Sequence, residues 1–259
     1  MKQVLAMIVL AAIGCNTAPD KEALNMAGAY SMVSQSVKGG TYDTTITSLK
    51  QLKIFTADFM MYANVQPADS VSGFGVGTYS ISMDTITENV FFSASDSSSS
   101  DAAVSFPLVI TKTEKGYTQV IPEIGADKYK LTEIYNTVGT AVTTPIDGLW
   151  KAVKMYEIKG TDTVTNEINQ YKMYSAGHFM FGHTWADSTK KLHTGMGFGT
   201  FTMDGTTKIK EHVDASNYSQ IRGQDVELAI EMTGTDEYKQ TIIWTDGTKG
   251  VEIYKRVKK

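Results

Sequence analysis

The side chains best suited to acid–base or metal chemistry are concentrated in the second half of this 259-residue chain. His178, His183, His193 and His212 all lie beyond residue 145, as do both arginines, Arg222 and Arg256. Imidazole is the commonest transition-metal ligand among side chains. His178 and His183, however, are five apart, which on one continuous strand turns them to opposite faces. The single cysteine, Cys15, is far away in sequence, so no metal and no cofactor is expected. Serine, histidine and aspartate are present without a Gly-x-Ser-x-Gly elbow, a His-Glu-x-x-His pair or a phosphate loop. Gly195-x-Gly197-x-Gly199 is a glycine-rich strand and not a dinucleotide fingerprint, because no helix pattern follows it. The chain is therefore not expected to be an enzyme.

Strand parity offers a better candidate at the end of the chain, where Glu252, Tyr254 and Arg256 fall on one face. If that face lines an interior, Glu252 needs a polar partner. It then serves either as internal glue or as an anchor for a ligand. With His178 and His212, Glu252 and Tyr254 make up the candidate ligand-binding set. Trp150 and Arg256 are a possible cation–π pair, worth about 0.5–2 kcal/mol depending on desolvation.

These residues are positioned by a repeat with an offset of about 120 residues. Gly28-Ala29-Tyr30-Ser31-Met32-Val33 answers Gly148-Leu149-Trp150-Lys151-Ala152-Val153. The run from Leu52 to Met61 answers that from Tyr171 to Phe181, with one extra residue at the turn of the second copy. Gly75-Val76-Gly77-Thr78-Tyr79 matches Gly197-Phe198-Gly199-Thr200-Phe201, Glu88-Asn89-Val90 matches Glu211-His212-Val213, and Glu133-Ile134-Tyr135 matches Glu252-Ile253-Tyr254. A repeat of this length implies two units of one fold. The first copy carries Tyr30, Asp58, Asn89 and Thr137 where the second has Trp150, His178, His212 and Arg256, so a polar site in the second unit is not expected in the first.

Each copy consists of short runs rich in Thr, Val, Ile, Tyr and Phe, separated by turn residues such as Asp204-Gly205 and Asp246-Gly247. About eight runs per copy with hairpin-length gaps predict an up-and-down meander. A meander of that size closes into a barrel so that no edge is left exposed, with an open sandwich as the alternative. The fold class is all-β, two tandem antiparallel barrels over residues 27–138 and 148–259. A Thr-rich linker at 139–147 separates them, and a fragment from about Pro145 to Lys259 is expected to fold alone. The serine-rich stretch 93–101 is too polar to pack and reads as a surface loop.

Residues 1–14 have the features of a targeting segment: Lys2, an apolar run from Val4 to Ile13 too short to span a bilayer, and small residues at its end. Ala12-Ile13-Gly14-Cys15 resembles the lipobox of bacterial lipoproteins, which implies lipidation of Cys15 and a short polar tether over 15–26. Twenty-four Lys and Arg against 28 Asp and Glu give a net charge of −4. With no basic run beyond a pair except at the C-terminal tail, a nucleic-acid partner is not expected.

Gly148-Leu149-Trp150 in a first strand, with Arg256 in a last one, resembles the lipocalin signature, in which the arginine packs on the indole where the barrel closes. His178-Phe179-Met180-Phe181, the strand Gly197 to Phe201 and Glu211-His212 make the second copy similar to lipocalin-like domains of Bacteroidota lipoproteins. The resemblance implies a fold and a compartment, a lipid-anchored protein of the bacterial cell envelope in the outer membrane. The many aromatic and apolar residues, lining a hollow interior, make a carrier of a small apolar or amphipathic ligand the leading expectation. The alternative is a spacer or docking lipoprotein with filled barrels; the sequence specifies no protein partner.

Overall fold

A computed structural model of the chain describes residues 24–65, 72–94, 103–139 and 143–259. The targeting segment, Cys15 and most of the tether lie outside these residues, as does most of the serine-rich stretch. The first sheet comprises β1 (Gly28–Gly39), β2 (Tyr42–Ile46), β3 (Lys50–Phe55), β4 (Phe59–Val65), β5 (Gly73–Ser82), β6 (Thr85–Ser93), β7 (Val104–Thr113), β8 (Gly116–Ile124) and β9 (Tyr129–Thr137). The second comprises β10 (Gly148–Lys159), β11 (Asp162–Thr165), β12 (Asn169–Ser175), β13 (His178–Ala186), β14 (Leu192–Asp204), β15 (Lys208–Ser216), β16 (Asp225–Met232), β17 (Glu237–Ile243) and β18 (Lys249–Arg256).

All pairings are antiparallel and follow chain order, except around the long first strand of each sheet. One edge of β1 pairs with β3 over Gly28–Ser31 and with β2 over Gln35–Gly39, so β2 and β3 act as one interrupted strand. The other edge pairs with β9 and closes the sheet. Strands β10, β11, β12 and β18 repeat the scheme. The result is two closed eight-stranded antiparallel barrels in tandem, a lipocalin-like architecture in which neither sheet keeps a free edge.

Most strands bury one face only. In β6 and β15 burial alternates residue by residue, the pattern of a sheet with a packed inside and a wet outside. Strands β3 and β12 depart from it, because Gln51 to Phe55 and Gln170 to Tyr174 are buried on both faces. Their inward residues enter the barrels, while Leu52, Ile54, Tyr171 and Met173 point outward into a core shared by the two barrels. Phe74, Phe92, Met180, Met196 and Phe198 also belong to that core. Phe92 and Tyr171 meet there with ring centroids 5.0 Å apart. The Thr194 hydroxyl donates to the carbonyl of Ala94 across the same seam at 3.0 Å.

Two details of the repeat differ from the sequence reading. In the β3–β4 and β12–β13 hairpins, Phe55 pairs with Met60 and Tyr174 with Phe179, so four residues separate the matched positions in each and neither copy has an extra one. The position equivalent to His178 is therefore Phe59 and not Asp58. The expected linker is also partly structural. Ile146 is fully buried under Trp150, whose indole nitrogen donates to its carbonyl at 2.7 Å.

The recurring glycines have steric causes. A β-bulge falls at Gly77 in one barrel and at Gly199 in the other, and a Cβ at either would collide with the facing carbonyl of Asn89 or His212. Gly148 combines a φ of +132° with close approach of the Arg256 guanidinium, which leaves no room for a side chain. That guanidinium lies 4.1 Å from the ring centroid of Trp150. It donates to the backbone carbonyls of Pro145, Asp147 and Thr235, so the arginine ties the segment entering the barrel to the strand that closes it.

Candidate functional site

The interior of the second barrel contains a polar cluster embedded in aromatic rings. Lys172 and Glu211, almost entirely buried, form an ion pair at 2.7 Å. The ammonium also donates to Gln240 Oε1 at 3.3 Å, and the rings of Tyr174 and Phe179 pack around it at 5.2 and 5.5 Å. Tyr174 donates to Glu211 at 2.5 Å. A second carboxylate, Glu252, takes hydrogen bonds from Gln240 at 3.0 Å and Gln170 at 3.3 Å, and from the Tyr254 hydroxyl. All three arrive at Oε2. Burial raises the Glu252 pKa, and the nearby Lys172 charge opposes that rise. Burial and the adjacent Glu252 raise Tyr254 well above an ordinary phenol.

Strand β13 extends the cluster outward. His183 Nδ1 lies 2.7 Å from Gln170 Oε1 and Nε2 lies 2.7 Å from the Tyr218 hydroxyl. Gln170 gives its amide hydrogens to Glu252 and Tyr254 and so offers only its oxygen. Nδ1 therefore carries the proton and Nε2 accepts from Tyr218. Burial lowers His183 to about 4, which keeps it neutral at physiological pH, and raises Tyr218 to about 12. Tyr218 belongs to the β15–β16 connection, which this bond fixes to the barrel wall.

Next to the cluster is a cavity of about 300 Å³. Met155, Ile168, Phe181, Val226, Leu228 and Ile242 supply its apolar wall, and Gln170, Lys172, Glu211, Gln240 and Glu252 its polar end. The exposed lining residues Glu157, Gln220 and Trp244 mark the mouth. An apolar enclosure with a few convergent polar groups is the usual form of a small-molecule site. Among the described residues, no three His, Cys, Asp or Glu side chains converge as a metal site would require.

The first barrel repeats most of the cluster, with Phe55 where the second has Tyr174. Lys53 pairs with Glu88 at 2.8 Å and donates to Gln119 at 3.2 Å. Glu133 accepts from Gln119 at 2.6 Å and from Tyr135 at 2.8 Å. One difference concerns the second carboxylate. Gln35, opposite Glu133 in the strand register, donates to Glu133 Oε1 at 2.9 Å. The register places Met155 opposite Glu252, and Met155 offers no such hydrogen bond.

The four candidate ligand residues read from the sequence separate in space. Glu252 lines the cavity, and Tyr254 braces it from behind. His178 sits outside the barrel, its Nδ1 3.0 Å from the carbonyl of Ala176, in a groove of about 350 Å³ between the barrels. His212 is on the outer face of β15, 2.8 Å from Asp225. Lys172, Gln170, Gln240 and Tyr218 have no role assigned from sequence, where Glu211 figures only within matched motifs and His183 only as a histidine set apart from His178. The signal was there for three of them: Gln51-x-Lys53 and Gln170-x-Lys172 place a lysine inside an apolar strand at the same point of both copies, and Glu88 and Glu211 recur likewise.

Residues 145–259 match the family model of a domain of unknown function, DUF4488. That segment includes Ile146, buried beneath Trp150, and Pro145, whose carbonyl accepts from Arg256. No curated protein matches the chain. Among solved structures, a lipocalin-like protein from Bacteroides uniformis is 13% identical, with a TM-score of 0.30, over 44% of this chain and 100% of its own. A candidate outer membrane protein from Bacteroides fragilis is 11% identical, with a TM-score of 0.27, over 89% of this chain and 97% of its own.

Proposed function

We propose that the second barrel binds a small apolar or amphipathic molecule, as a binding or carrier protein and not an enzyme. The observation that carries this reading is the cavity of about 300 Å³ whose apolar wall ends at Glu252 and its partners. That volume is at the lower end for ligand pockets, which suits a compact ligand or one short chain. Titration with the neutral apolar dye N-phenyl-1-naphthylamine is expected to give saturable fluorescence enhancement with one site per chain. Val226→Trp, which places an indole in the cavity, should abolish it without lowering the melting temperature. Absence of saturable binding would favour a spacer or docking protein, the reading supported by the apolar core that joins the barrels.

The lipid anchor rests on Ala12-Ile13-Gly14-Cys15, outside the described residues. In this reading the chain is attached to the bacterial outer membrane through acyl groups on Cys15, since several chains together hold a protein firmly where one does not. Cys15→Ala is expected to move the protein from the membrane fraction to the soluble one. An intact mass showing unmodified Cys15 in the native host would remove the anchor.

A further inference from the structure

Resting on the reading of the second barrel as a binding site, we propose that its ligand carries a protonated amine, seated against Glu252 Oε1, with an apolar body along Met155, Ile168 and Phe181. The three donors to Glu252 all arrive at Oε2, from Gln170, Gln240 and Tyr254. Glu252 is partly exposed, and the surface it contributes faces the cavity. In the first barrel the same oxygen of Glu133 is occupied by the amide of Gln35. Substitution of Met155 at that position removes the internal donor from the cavity side of the carboxylate and puts an apolar wall beside it. A ligand N–H⁺ would replace the bond that Gln35 makes in the first barrel.

The charges around the cavity favour a cation. Glu157 from β10, Glu211 from β15 and Glu252 from β18 line it, against Lys172 from β12 as the one basic side chain among the described residues. His183 from β13 is neutral and already bonded on both nitrogens. Lys172 is engaged by Glu211 and Gln240 and enclosed by the rings of Tyr174 and Phe179. A ligand carboxylate would have no free cation to meet and would face Glu252 directly. An ammonium bonded to Oε1 gains a charge-assisted hydrogen bond beside an apolar wall.

The test uses the full mature chain and three eight-carbon probes at neutral pH: octylamine, octanol and octanoate, measured by calorimetry. Octylamine is expected to bind about tenfold or more tightly than the other two. Glu252→Gln should reduce its affinity to that of octanol. Because this variant could disturb the cluster, Met155→Gln provides a second reading: it rebuilds the first barrel's internal bond, and should weaken octylamine by a larger factor than octanol, which loses only apolar contact with the wall. Equal binding of all three probes, or octylamine binding insensitive to both variants, would overturn the amine assignment while leaving the pocket intact. Failure of all three probes, together with failure of the neutral dye, would instead remove the pocket reading itself.

Discussion

Lys172→Met is expected to destabilise the second barrel by about 3–5 kcal/mol, because it leaves a buried carboxylate without its counter-charge. Methionine keeps the apolar stem at nearly the same length, so little packing is lost. Glu211, 4% exposed, would retain only the Tyr174 hydroxyl, and Gln240 Oε1 would lose its donor. Adding Glu211→Gln should recover most of the loss, since the cost comes from the unpaired charge and not from the absence of a salt bridge. The chain's three tryptophans, Trp150, Trp185 and Trp244, all belong to the second barrel. Urea unfolding followed by tryptophan emission therefore reports on that barrel. A loss under about 1 kcal/mol in the single variant would mean that water or rearrangement reaches Glu211, and that the cluster is not the closed structure described.

Comparison of the barrels distinguishes structure from specificity within this cluster. The Lys–Glu pair, the bridging glutamine and the Tyr–Glu contact recur in both barrels with nearly the same distances. They satisfy polar groups that a closed barrel could not otherwise bury. Deep in the barrel Phe55 and Met60 stand where the second has Tyr174 and Phe179. In the layer nearer the mouth Gln35 stands against Met155, and Asn64 against His183, which reaches the Tyr218 loop. Ligand preference is expected to reside in that layer, which is why the amine test rests on Met155 as well as on Glu252.

The barrel class was legible because alternation and turn residues are local signals. β6 and β15 show the period of two, and Asp204-Gly205 and Asp246-Gly247 fall at the β14–β15 and β17–β18 turns. The inward placement of Glu252 and Tyr254 followed from parity along one strand. The same parity, applied to Glu211-His212, puts the glutamate inside and the histidine outside. The histidine drew attention by its chemistry, yet position on the pleat decides which of two neighbours can reach the interior. Lys172 was obscured because a charged residue in an apolar strand looks like an outward position, and only its partners on β15 and β17 make it an inward one. The shared core was hidden for a related reason: a strand buried on both faces gives an apolar run with no period, and nothing within the run tells which face meets the barrel interior and which the neighbouring barrel.

That shared core determines what should happen when the barrels are separated. A fragment of residues 143–259 retains Pro145, Ile146, Trp150 and Arg256, and with them the closure of β10 on β18. It is expected to keep β-type circular dichroism and a cooperative melt. Its outer face would, however, expose Tyr171, Met173, Met180, Met196 and Phe198 together, all of them buried in the full chain. Fully burying one large apolar side chain is worth about 1.5–3 kcal/mol, so a contiguous patch of five is a strong drive to associate. The fragment should therefore sediment as a dimer or larger species at micromolar concentration, and its melting temperature should rise with concentration. Met173→Lys with Phe198→Lys should return it to a monomer, because both side chains point away from the barrel interior. In the full chain the same pair should destabilise, since it buries two charges against Leu52, Ile54 and Phe74. A wild-type fragment that remains monomeric with an unchanged melting temperature would show that the outer face is not held by apolar contact, and that the two barrels are joined only by the chain between them.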